Sequence, residues 1–180
     1  MPRPQPNVES HAVAHPIDTL EALFFAEVQE LRSAELQVSA ELLSIAQSEQ
    51  KQDLQELLQS YATELNARRE DMERLLSAAG INPREHSDQA MKSLLAELGK
   101  MSDLPVPAVR DAALIDSVQR IVHLKIAAYG SVATFAKMLG RIDDAARFGA
   151  YVDREKSVDA ELTAIATGSA NRAALSSHAH

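Results

Sequence analysis

Apolar residues recur at steps of three and four along four long stretches of this chain, the spacing of one buried face on an α-helix. The first stretch, residues 18–47, carries the stripe Leu20, Phe24, Glu27, Leu31, Glu35, Val38, Leu42 and Ile45. Asp18 with Glu21 three residues on predicts its start as a capping box. The polar run from Ser48 to Gln52 predicts a turn. A second helix follows over 53–79, with Leu54, Leu58, Tyr61, Leu65, Arg68, Met72, Leu75 and Ala79 on one face and Gly80 and Asn82-Pro83 closing it. A third long helix is expected over 111–139, ending at Gly140, and a fourth from about 143 to just before Gly168. Residues 81–110 connect the second to the third. They hold a short expected helix over 88–100 and then Leu104-Pro105-Val106-Pro107, which the pre-proline restriction makes extended.

The connection lengths turn these elements into a fold. Tight links make the first two long helices antiparallel, and likewise the last two. A helix of roughly 29 residues is about 43 Å long at 1.5 Å per residue, a length the connection over 81–110 can span, so the second and third helices can run parallel. The expected fold is therefore all-α: a ferritin-like antiparallel four-helix bundle with one long crossover containing a short extra helix. Up-down-up-down packing, with the connection folded at one end, is the alternative. The expected organisation is a disordered arm over 1–17, the bundle over 18–168 and a flexible tail over 169–180. The arm holds Pro2, Pro4 and Pro6; His11, His15, His178 and His180 read as solvated residues of the two ends.

Composition narrows the function classes. The 180 residues suit one domain, and 46% hydrophobic with only 4% aromatic content, 6 Gly and 7 Pro favours long helices over many short strands. A formal charge of -8 argues against a nucleic-acid partner, since phosphate binding needs a basic footprint. The absence of cysteine removes disulfides, thiolate catalysis and cysteine-bound metals, and agrees with a cytoplasmic setting. No apolar run approaches the roughly 20 residues of a membrane helix, so no membrane partner is expected. No Ser–His–Asp, phosphate-loop or glycosidase-like carboxylate pattern stands out, and no catalytic residue is assigned.

What does stand out is ionisable residues set into the seam near the middle of each helix. Glu35 lies between Leu31 and Val38. Glu155 and Asp159 lie between Val152 and Leu162, Glu64 flanks the seam beside Tyr61 and Arg68, and His123 is one position past Val122. In an antiparallel bundle with matched ends these positions share one layer. Two carboxylates four residues apart repel, and a buried carboxylate without a partner costs several kcal/mol. Three compensations are open: a divalent metal, an internal ion-pair network using Arg68, Lys125 or protonated His123, or a facing one position off that lets some groups reach solvent. His123 also reads as a hydrogen-bonded core residue, Tyr61 as a core aromatic whose hydroxyl meets a carboxylate, and Tyr129 and Tyr151 as packing residues.

Several stretches resemble the YciE/YciF family of bacterial ferritin-like, stress-associated proteins. They are Leu20-Glu21-Ala22-Leu23-Phe24, Ser33-Ala34-Glu35, Asp88-Gln89-Ala90-Met91, Val109-Arg110-Asp111-Ala112-Ala113-Leu114-Ile115, Ile126-Ala127-Ala128-Tyr129-Gly130, Ala136-Lys137-Met138-Leu139-Gly140, and Glu155-Lys156 followed by Asp159. They span about residues 18–167 in order. The resemblance implies a homodimeric bundle with a dinuclear centre of inward Glu, His and Asp. Carried over by position, the metal ligands would be Glu35, Glu64, His123, Glu155 and Asp159, and oxygen-rich ligands of this kind suit iron or manganese. The chain departs from the pattern at Tyr61, where the family has histidine, and at Val122 and Lys125, where it has glutamate. These departures point to a single ion or a weakened pair rather than a full centre. The competing expectation is a non-catalytic dimeric structural or interaction module with Lys125 or Arg68 standing in for the metal.

Overall fold

The computed structural model describes residues 17–177; the histidines at 11, 15, 178 and 180 lie outside them. The described chain is all-helical: α1 (Leu20–Ser48), α2 (Gln52–Ala78), α3 (Gln89–Ser102), α4 (Pro107–Met138), α5 (Ile142–Ile165), a π-helical turn (Ala166–Ala170) and α6 (Asn171–Ser176). None of these helices is long and apolar enough to cross a membrane.

Local chemistry sets the boundaries, and in three places it moves them from the expected ones. The cap of α1 is Thr19 rather than Asp18, its Oγ1 accepting the Ala22 N–H at 3.0 Å. Thr19→Ala is therefore expected to cost about 0.5–2 kcal/mol in denaturant unfolding, whereas Asp18→Ala should stay within about 0.5 kcal/mol. Second, α4 begins four residues early: Pro107 is its first helical residue, a position where the missing N–H costs nothing and the fixed φ is already helical. Third, the last long helix does not stop before Gly168. The chain widens into the π-turn and continues as α6, carrying Ala170 into the core. The other ends agree with the spacing. Asp88 Oδ1 accepts the Met91 N–H at 2.8 Å to start α3. Gly80 (φ 73) and Gly140 (φ 72) adopt the left-handed conformation that ends α2 and α4, with Ile81 N–H bonding back to Leu76 O and Arg141 N–H to Ala136 O.

Cross-helix pairs give the relative directions. Arg32 meets Glu73 while Ser39 meets Asn66, so α1 and α2 run oppositely. Gln119 meets Thr163 while Lys125 reaches Glu155, so α4 and α5 do too. Tyr61 meets Glu155 and Asp71 meets Tyr151, which sets α2 against α5 in opposite senses. The buried side chains form two clusters. One is largely aliphatic, running from Ile45, Leu54 and Leu58 to Val122 and Leu162. The other is aromatic-rich, with Phe24, Phe25, Tyr129 and Phe148 in edge and stacked contacts. Between these two clusters, where each stripe carries an ionisable residue, lies a polar layer.

A buried charge layer as the candidate functional site

Each helix delivers its polar residue by the same periodicity that delivers its apolar neighbours. Glu35 follows Leu31 by four, Arg68 follows Leu65 by three, Lys125 follows Val122 by three and precedes Tyr129 by four, and Glu155 precedes Val158 by three. All four are buried, together with Tyr61 and Tyr129. Lys125, only 1% exposed, is the centre. Its Nζ lies 2.9 Å from Glu35 Oε1 and 3.1 Å from Oε2, 3.3 Å from Glu155 Oε1, and donates to Tyr61 Oη at 3.0 Å. Tyr61 in turn donates to Glu155, Arg68 donates to the other oxygen of the same carboxylate, and Tyr129 donates to Glu35. Arg68 also stacks over Tyr151, 4.9 Å from its ring centroid.

Two carboxylates, one guanidinium and one ammonium sum to no net charge, so every charge taken out of water has an opposite one beside it. Burial and neighbours pull each proton affinity in identifiable directions. Burial raises the Glu35 carboxyl above the usual range, opposed chiefly by Lys125 and reinforced by Glu155. Burial, then the adjacent carboxylates, push the Tyr61 hydroxyl well up, and burial with Glu35 does the same to Tyr129. Both phenols therefore remain donors. Burial works against the charge on Arg68, but its anionic surroundings outweigh it and raise the pKa.

Of the five residues expected to gather here, two do. Glu35 and Glu155 share Lys125. Glu64 is partly exposed and paired with Arg154, whose Nε and Nη2 each lie 2.8 Å from its carboxylate oxygens. That pairing holds Glu64 below the usual carboxylate range. Asp159 accepts from Gln119 at 2.9 Å and lies 3.3 Å from His123 Nε2 near the surface. His123 is not a core residue: its side chain is 64% exposed. One residue along a helix is a rotation of about 100°, and that step separates these three side chains from the seam. Among the described residues, no three His, Asp or Glu side chains are grouped so as to hold a metal ion. Tyr61 is the core aromatic with a carboxylate partner that its position suggested. Tyr129, read from sequence as packing only, is also a donor within the layer. Its spacing of four from Lys125 was the available signal.

An all-helical chain with a charge-neutral polar layer between two apolar clusters is the class these observations define. The chain belongs to the family described as Domain of unknown function (DUF892), which it matches over residues 19–175. It is 28% identical over 158 residues to Protein YciF of Escherichia coli, covering 87% of this chain and 95% of that protein. The crystal structure of the E. coli stress protein YciF matches with a TM-score of 0.81 at 27% identity, over 86% of this chain and 99% of that one. A structure of YcfI from Rhodopseudomonas palustris matches with a TM-score of 0.77 at 24% identity, over 83% and 96% of the two chains.

Proposed function

We propose that this chain is a non-catalytic, stress-associated relative of YciF that serves as a homodimeric structural or interaction module in the cytoplasm. In this reading α1, α2, α4 and α5 are the four helices of a ferritin-like bundle and α3 belongs to its crossover. The opposed pairings of α1 with α2, α4 with α5 and α2 with α5 support that arrangement. The observation that carries the functional reading is the Lys125 ammonium seated between Glu35 and Glu155. A divalent ion entering there would meet Lys125 and Arg68 as like charges and would find two carboxylates already neutralised, with no histidine beside them. The residues present do not fit the iron or manganese centre that the resemblance implies.

The test is to express the chain with added iron or manganese and measure bound metal, thermal stability and mass in solution. The expected outcome is metal far below one ion per chain, a melting temperature indifferent to chelation, and a particle of twice 19.6 kDa by light scattering. Stoichiometric metal that disappears in a Glu35→Ala, Glu155→Ala double variant would restore the competing assignment of Glu35, Glu64, His123, Glu155 and Asp159 as an iron or manganese site.

A further inference from the structure

An apolar cleft of about 230 Å³ opens beside the start of α1, away from the central layer. Ile17, Phe25, Ala26 and Ile81 form its apolar wall, and Glu85 and His86 supply a polar edge. Hydrogen bonds that pin the 81–88 connection to α1 hold its shape. Gln29, itself buried, donates to the Asn82 carbonyl at 2.6 Å, and the Asp88 N–H donates to Ser33 Oγ at 3.1 Å. His86 Nδ1 lies 3.4 Å from Glu30 Oε1, and beyond that pair a second groove is lined by Glu27, Glu30 and Asp88. Among the described residues, no lysine or arginine lines either space.

The preceding segment of the chain arrives at this cleft. Ile17, 55% exposed, lines it, and Leu20, 37% exposed, follows on the first turn of α1. Apolar surface left in water at the mouth of an apolar cleft is surface that a covering group would stabilise by burial. Residues 1–16 are joined covalently to Ile17, so they meet the cleft at a high effective concentration, an advantage that a separate partner lacks. Their apolar residues nearest the cleft are Ala12, Val13 and Ala14. Val13 is four residues from Ile17, a reach of at most about 14 Å of extended chain. Ser10 to Pro16 contains no acidic residue, so the carboxylates around the cleft do not repel it, and His11 and His15 offer them imidazole N–H donors. These residues precede the stretch over which the chain matches its family.

We propose that residues 10–16 dock on their own chain, with the Val13 side chain seated in the cleft between Phe25 and Ile81 and the flanking histidines against its acidic edge. Docking takes the place of the free arm expected from the sequence and ties the start of α1 to the 81–88 connection. The proposal is independent of how the central layer is read, because none of its residues belongs to that layer.

The chain has no cysteine, so a pair introduced by substitution reports on one proximity alone. In the full chain, Val13→Cys with Ile81→Cys is expected to close an intrachain disulfide under mild oxidation at least about tenfold faster than Val13→Cys with Ile142→Cys. Ile142 is the control because it lies at the same end of the bundle and is 65% exposed, next to Arg141, whose guanidinium lies over the Phe24 and Phe25 rings. A freely moving segment would reach it at least as readily. A second measurement leaves the cleft itself unaltered. In the full chain, Val13→Asp should shift the amide resonances of Phe25, Ile81 and His86, while Val8→Asp leaves them in place. Equal cross-linking rates at the two sites, or no shift from Val13→Asp, would overturn the proposal. So would a disulfide between positions 13 and 81 that forms only between chains, which would give the cleft to a second copy.

Discussion

Replacing Lys125 with methionine is expected to lower the stability of the folded chain by about 3–5 kcal/mol, the range for removing one partner of a buried ion pair. In a chain of this size that corresponds to a fall of about 6–20 °C in melting temperature. Methionine keeps most of the apolar stem, so the loss comes from the charge rather than from a cavity. What disappears is the donor that joins Glu35, Glu155 and Tyr61. The pH dependence identifies the cause. Lys125 is the principal influence holding down a Glu35 carboxyl that burial already raises. Without it the folded-state pKa of Glu35 climbs further above the unfolded value. The folded chain then binds more protons than the unfolded chain, so stability rises as pH falls. Urea unfolding of the variant between pH 7 and 5 should recover part of the loss, with a steeper gain than the parent shows. Parent-like stability at pH 7, or an identical pH slope, would show that the ammonium contributes nothing to the layer.

Glu155→Leu removes the opposite sign and should behave in the opposite way. Glu155 accepts from Tyr61 and Arg68 and faces Lys125. Its loss leaves two buried cations against one carboxylate, again about 3–5 kcal/mol, and the orphaned Tyr61 hydroxyl adds about 1–3 kcal/mol. Arg68 does not give up its proton in a protein, and acidification cannot restore the missing negative charge. No recovery is therefore expected between pH 7 and 5. Recovery should come from a second substitution: Arg68→Met in the Glu155→Leu background removes the stranded guanidinium, and an apolar pair of similar volume can match or exceed a buried ion pair. A double-mutant cycle by denaturant unfolding should show the pair more stable than the sum of its single losses predicts. Simple additivity would mean that Arg68 and Glu155 act independently.

The helices and their buried faces were legible in the sequence because a period of 3.6 residues states its facing directly. Glu35, Arg68 and Glu155 sit on stripes whose apolar members fix their direction, and the structure buries all three. Lys125, three residues from Val122 and four from Tyr129, fits the same face, but the sequence alone leaves open whether its ammonium turns into the layer or out to solvent; the structure turns it in. Residues one position beside a stripe were harder to place. Glu64 and His123 flank the seam, while Asp159, whose spacing from Glu155 and Leu162 sets it inside the seam, in fact turns outward; a single-residue offset decides whether a side chain joins a buried layer or meets an outer partner such as Arg154 or Gln119. The partnership of Tyr129 with Glu35 was not legible, because it depends on the axial alignment of α4 with α1, and the period of either helix alone does not encode that.

The placement of the phenols has an optical consequence. The chain has three tyrosines and no tryptophan. Tyr61 donates to Glu155, Tyr129 donates to Glu35, and Tyr151 donates to Asp71 at 2.7 Å while lying under the Arg68 guanidinium. The near-ultraviolet spectrum of this protein, set chiefly by its tyrosines, is thus a spectrum of its charged interior and that interior's rim. Any event that loosens or re-pairs those ions is written into the absorbance of the unlabelled chain.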